Sequence, residues 1–144
     1  MRGGSPVVYT ADRSVKTRGQ GDACDLTGEI EGAVRASGLS AGTVTVFVTG
    51  STAGVTAIEF EEGVVADLAA ALERIAPRNS EYKHHLRWGD DNGSAHLRAG
   101  LVGPSLVVPF REGKLLLGTW QQVVLLEFDT RPRTRRYVLQ VMGE

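Results

Sequence analysis

The chain has 144 residues, 42% apolar and 23% charged, with a formal net charge of -1 and one cysteine, Cys24. That length suits a single domain over residues 1–144, large enough to hold a core without disulfides or a structural metal. The balanced charge excludes a general pull toward nucleic acid or anionic membrane, a lone thiol excludes an intramolecular disulfide, and no apolar run approaches the ~20 residues that span a bilayer or resembles a secretory signal.

These features give the expectation of a cytoplasmic protein with neither nucleic acid nor membrane as a partner. Residues 7 to about 15 open with an extended, β-rich stretch. Between Asp25 and Gly38, Leu26, Ile30, Val34 and Ser37 fall at i, i+4, i+8 and i+11, one face of a helix. Asp25 or Thr27 is placed to cap its start and Gly38 its end. Residues 43–49 are β-branched and predict a strand, and residues 55–60 predict a second, joined by the polar, glycine-rich residues 50–54.

Val64, Val65, Leu68, Leu72 and Ile75 form the stripe of a second helix. Glu61 and Glu62 stand at its N-terminus, where the macrodipole favours acids, and Pro77 stops it. Residues 78–95 fit neither period. Loops of that length in a compact domain are functional or disordered, and Tyr82 and Trp88 argue against disorder. His96 then opens a short helix ending near Gly100 or Gly103. Four apolar runs come next, at 105–110, 114–120, 123–128 and 137–141, separated by turn signals that read as a β-meander. The pattern predicts an α+β layered fold with a mostly antiparallel sheet. Several runs lack alternation, which predicts cover on both faces.

Chemistry concentrates in one place. His84, His85, Asp90, Asp91, Asn92 and His96 lie close together, and all three histidines of the chain are among them. Imidazole serves as a metal ligand or as an acid/base group near neutral pH, and carboxylates complete mixed metal spheres. The same composition also suits a hydrated loop whose histidines bond only to backbone. Asn92, Gly93 and Ser94 precede the His96 helix, so they are either a plain N-cap or, with Arg98 one turn on, a phosphate or carboxylate site. Residues 50–54 are either a hairpin turn or a ligand contact through Ser51 and Thr52. Residues 118–122, with Trp120, are either a pocket wall or a subunit contact. Cys24 has no histidine nearby in sequence and is a poor nucleophile candidate. Arg131, Arg133, Arg135 and Arg136 read as a solvated turn and edge strand.

The run GPSLVVPFREGKLLLGTWQQVVLLEFD resembles the signature of the YjbQ-like family at Ser105, Pro109, Gly113, Gly118, Thr119, Trp120 and Gln121. EYKHH and WGDDNGSAHLRAGLVG are similar to that family's central segment, and the likeness runs from about Pro6 to Val141. The resemblance implies a single-domain α/β sandwich that assembles as a homotrimer, with sites near subunit contacts. It implies a polar site on His84 and His96 with Asp90 or Asp91. Many members carry a His-Thr-Thr/Ser-Ala motif where this chain reads Gly50-Ser51-Thr52-Ala53, so a three-histidine metal site would need His85 as the substitute. Some members are described as having thiamine-phosphate synthase activity. That implies a phosphorylated or anionic ligand and a divalent metal, Mg or Zn, with His84, His85, Asp90, Asp91 and His96 as candidate ligands. In that reading His84 and His96 are acid/base or metal-binding groups and Asp91 the carboxylate for metal or substrate. Ser51, Thr52, Asn92, Ser94 and Arg98 would hold the ligand. The alternative is a non-catalytic homotrimer that binds a metal or small ligand.

Overall fold

A computed structural model describes residues 7–144. In chain order the elements are β1 (Val7–Lys16), β2 (Ala23–Asp25), α1 (Thr27–Ser37), β3 (Ala41–Val48), β4 (Ala53–Ile58), α2 (Glu62–Ile75), α3 (Lys83–Trp88), α4 (Gly93–Val102), β5 (Ser105–Arg111), β6 (Lys114–Leu115), β7 (Gln122–Glu127) and β8 (Thr134–Gly143). The strands form two sheets, ordered β1-β8-β3-β5-β6 and β2-β7-β4. All the strand pairings in them are antiparallel. The fold is α+β, as the sequence pattern predicts.

The inner face of the five-stranded sheet is built by strict alternation. Val44, Val46 and Val48 of β3 and Tyr137, Leu139 and Val141 of β8 point inward. They meet Ala53 and Val55 of β4, Val123 and Leu125 of β7, and Ile30, Ala33 and Val34 of α1 in one buried cluster. On the far side of the smaller sheet, Val124, Leu126 and Phe128 pack with Leu72 of α2 and with Ala95 and Ala99 of α4. The unbroken apolar run of β7 therefore has a local cause: it is covered on both faces within one chain. Each such buried Val or Leu contributes about 1.5–3 kcal/mol.

Among the described residues no helix covers the outer face of the five-stranded sheet. Phe47, Val107 and Met142 are exposed there. Strand register sets Phe47 beside Val138 and Thr43 beside Met142.

Three expectations about the chain's course are corrected. The C-terminal runs are not a meander: β5 and β6 pair in one sheet, β7 lies between β2 and β4 in the other, and β8 returns to lie between β1 and β3. Turn residues mark where a chain reverses but not which distant strand it will join. The run 114–120 contributes only two strand residues before it leaves the sheet. Residues 78–95 are not irregular throughout, since they hold α3, closed by Gly89 in the left-handed region at φ 70°, and the start of α4.

The helix ends obey ordinary chemistry. Glu61 caps α2 by accepting the Val64 N–H at 2.8 Å. The Asp25 carboxylate accepts the Thr27 N–H at 2.9 Å beside α1, and Gly38 closes that helix at φ 71°. Gly54 sets the distance between α4 and the smaller sheet. A Cβ there would lie 2.8 Å from Val102 Cγ1, so only glycine lets α4 lie this close to β4. Among the described residues no helix is long and apolar enough to cross a membrane.

Candidate functional site

At one end of the sandwich four segments meet around a cleft of about 350 Å³. They are residues 49–52 between β3 and β4, Asn92 and His96 at the start of α4, Asp129 after β7, and residues 133–136 at the start of β8. Three arginines, Arg133, Arg135 and Arg136, face one carboxylate, Asp129, in its walls.

The floor is a buried polar network. Arg135 shares the inward parity of Tyr137, Leu139 and Val141, so β8 carries its guanidinium into the interior, where it is 3% exposed. It forms a two-pronged ion pair with Glu127, which is fully buried: Nε donates to Oε1 at 2.8 Å and Nη2 to Oε2. Nη2 also donates to Thr52 Oγ1 at 2.7 Å. Thr52 Oγ1 in turn donates to Asp129 Oδ2 at 2.9 Å, and Arg133 Nη1 donates to the same oxygen at 2.7 Å. Thr17 donates its hydroxyl to Glu127 Oε1 at 2.8 Å and accepts the Arg133 N–H at 3.1 Å. Every member has partners, which is the condition for a buried ionic network to persist.

Burial pushes the Asp129 carboxyl up, but the Thr130 N–H, the Thr52 hydroxyl, the Arg133 guanidinium and the Asn92 side chain outweigh it and hold the group below the ordinary carboxylate range. A depressed folded-state value contributes stability that is present above the unfolded value of about 3.9 and lost as pH falls through the folded one. Asp129→Asn is therefore expected to flatten the loss of stability on acidification below about pH 4. Urea titrations of both proteins between neutral and acid pH check this, and parallel curves would contradict it.

The histidines take distinct places. His96 lines the cleft. The His84 ring lies against it, with centroids 4.4 Å apart and planes tilted by 36°. His84 Nδ1 is 2.9 Å from Asp90 Oδ1. The carboxylate sits off the direction an aligned hydrogen bond needs, so this is a close polar contact and not a hydrogen bond. His84, His96 and Asp90 are thus brought together. His85 is turned elsewhere: its Nε2 accepts the Gly93 N–H at 3.0 Å and fixes the start of α4, and its ring stands edge-on to Tyr82. Asp91 is exposed, and Asp90 is the acid that meets His84.

The other residues singled out by sequence divide between cleft and scaffold. Ser51 is exposed in the wall, and Thr52 is buried in it with its hydroxyl committed to Asp129 and Arg135. Asn92 is in the wall, its Oδ1 buried without a hydrogen-bond partner among the described residues. Ser94 is buried in the first turn of α4 and is not in the wall. Arg98 departs from expectation. Its guanidinium donates to Ala76 O from Nε at 3.1 Å and from Nη2 at 2.9 Å, and to Glu73 at 3.3 Å, so it closes the C-terminal end of α2. The arginines that do line the cleft are Arg133, Arg135 and Arg136, which the sequence pattern places on a solvated turn and edge strand. β8 is not an edge strand, and that expectation is corrected.

Among the described residues no three His, Cys, Asp or Glu side chains are arranged to hold a metal ion. His85 is committed to Gly93 and Asp91 stands apart, so the residues present do not fit a metal held by the set His84, His85, Asp90, Asp91 and His96. Trp120 is 74% exposed and lines none of the cleft. Cys24 is half-buried, and burial together with Asp22 pushes its thiol up to about 11, which removes it as a nucleophile at neutral pH.

Residues 11–144 match the family described as UPF0047 protein YjbQ-like. A UPF0047 protein of Archaeoglobus fulgidus is 37% identical over 129 residues, covering 90% of this chain and 98% of that one. The YugU protein of Bacillus subtilis is 32% identical over 130 residues, covering 90% of this chain and 96% of its own. The crystal structure of a YbjQ-like protein of unknown function from Sulfolobus solfataricus superposes with a TM-score of 0.90 at 35% identity, covering 97% of this chain and all of that one. By sequence over nearly its whole described length, and by fold, the chain belongs to the UPF0047 YjbQ-like family.

Proposed function

We propose that the cleft binds a small anionic metabolite and that His96 exchanges a proton with it. One observation carries this reading: His96 is the imidazole in the wall of a cleft lined by Arg133, Arg135 and Arg136, whose charge Asp129 and the buried Glu127 beneath them offset only in part. The arginines supply fixed charge and oriented donors for an oxyanion. His96 supplies an imidazole, a group able to give or take a proton. His84 packs on His96 with Asp90 beside it, so the two rings form a stacked pair rather than two free rings.

The finer reading is a thiamine-phosphate-synthase-like transfer: the nitrogen of a thiazole phosphate forms a C–N bond to the pyrimidine's methylene carbon as its C–O bond to diphosphate breaks, and the diphosphate leaves with a proton from His96. Both partners of that reaction are anionic, as the cleft's charge favours. Both carboxylates that meet the arginines are already committed, Asp129 to Thr52 and Arg133 and Glu127 to Arg135 and Thr17, so neither is free to hold a metal. Calorimetric titration with inorganic pyrophosphate tests the reading. Saturable binding that weakens with added salt, followed by thiamine-phosphate formation from the two substrates, supports it. Binding without turnover favours a ligand-binding protein. Absence of binding at low salt removes the reading.

The second part of the proposal concerns self-association, with a homotrimer as the assembly. The outer face of the five-stranded sheet leaves Phe47, Val107 and Met142 in water. Apolar patches of this kind on a sheet mark contact surfaces, and closed symmetry buries them without open growth. Phe47→Asp is expected to shift the mass measured by light scattering from that of a trimer to that of a monomer. A wild-type monomer at micromolar concentration would contradict the assembly.

A further inference from the structure

The four hydrogen bonds that Arg135 makes run through Nε and Nη2. Nη1 has no partner among the described residues, although the residue is only 3% exposed. Gly50 lies in front of Nη1. A Cβ built there would come 3.0 Å from Nη1, and Gly50 has a φ of 154°, which side-chain-bearing residues rarely adopt. Both residues line the cleft. The glycine is thus an opening onto a donor that is charged, rigidly held from behind by Glu127 and unused by the protein.

We infer that Gly50 and Arg135 Nη1 form a subsite for one terminal oxyanion of the ligand, a phosphate monoester or a carboxylate. This rests on the reading of the cleft as an anion site and adds where the anion sits and what selects it. Arg135 is suited to the task because its other two nitrogens are fixed, so binding an oxyanion at Nη1 orders little that is not already ordered. Ser51, the exposed neighbour in the wall, leaves a hydroxyl at the rim. A side chain at position 50 would occupy the oxyanion's place. The ion pair with Glu127 keeps the guanidinium from moving aside. Gly50 is on this argument a specificity-determining residue, and Arg135 a binding residue.

The test is nitrogen-detected NMR of the arginine side chains in the full-length protein, titrated with inorganic phosphate and, separately, with acetate. Arg135, held in a buried ion pair, is expected to give slowly exchanging side-chain signals that shift and saturate with one of the two anions. Which anion does so identifies the class. Gly50→Ala is expected to weaken that binding about tenfold or more, the worth of one charge-assisted hydrogen bond. Gly113→Ala, at φ 71° with nothing within 4 Å of a Cβ, is the control for losing a positive-φ glycine outside the cleft and is expected to bind as wild type. A thermal melt of Gly50→Ala that matches wild type shows that its weaker binding is not a loss of fold. Saturable binding that leaves the Arg135 signals unmoved, or that Gly50→Ala leaves unchanged, overturns the subsite while the cleft remains an anion site. Failure of both anions to bind anywhere in the wild type overturns the subsite and the cleft reading together.

Discussion

Replacing Glu127 by glutamine is expected to destabilise the fold by about 3–5 kcal/mol, the cost of stranding one member of a buried ion pair. Glu127 is fully buried and meets Arg135 with both oxygens. It also accepts the Thr17 hydroxyl and, at 3.0 Å, the Asp129 N–H. Glutamine keeps the shape but offers one acceptor and no charge, so Arg135 would remain in the interior uncompensated. The pair itself need not add net stability, because withdrawing two charges from water offsets most of their attraction. The double variant Glu127→Gln, Arg135→Met is accordingly expected to lose less than Glu127→Gln alone. Urea unfolding of the three proteins measures this. A single variant within about 0.5 kcal/mol of wild type, the range of ordinary surface changes, would show that the network is hydrated and that the floor of the cleft is misassigned.

His96→Gln is expected to lower turnover by roughly 10²–10⁴-fold, the usual contribution of a positioned acid/base group. Pyrophosphate affinity should change by only a few-fold, since the arginines rather than the imidazole carry the charge of the site. Asp90→Asn should have a smaller effect than His96→Gln, because Asp90 acts through His84. A measurement of kcat separately from KM distinguishes a lost proton transfer from lost uniform binding. Full turnover in His96→Gln would leave His96 as a wall residue only.

The parts of this molecule legible in its sequence are those fixed by local periodicity. The stripe from Val64 to Ile75 and the face carrying Ile30 and Val34 mark helices in place, because a 3.6-residue period is a property of one segment. The His-rich cluster is legible as a cluster, since α3 and α4 are short and close together in the chain. Strand order is not legible. β8 pairs with β1 and β3, both far away in sequence, and no turn residue encodes that choice.

The arginines mislead for the same reason. Residues 131–136 look like a solvated basic turn as long as β8 is taken for an edge. A usable signal is nonetheless present. Arg135 keeps the alternation of Tyr137, Leu139 and Val141, and Glu127 stands inside an apolar run, so each is a charge at a core position that demands a partner. Arg98 misleads in the opposite sense. Its place one turn into a helix suggests an anion, whereas its fork meets the Ala76 carbonyl across from it.

The most direct measurement is a crystal structure of the full-length protein grown with tungstate, a heavy analogue of phosphate located by its anomalous signal. A peak is expected in the cleft between residues 50–52 and the start of β8, in hydrogen-bonding reach of Arg135 Nη1, with His96 in the wall beside it. Tungstate bound only elsewhere on the surface, with the cleft taking none, would contradict the claim that this is where the protein holds its ligand.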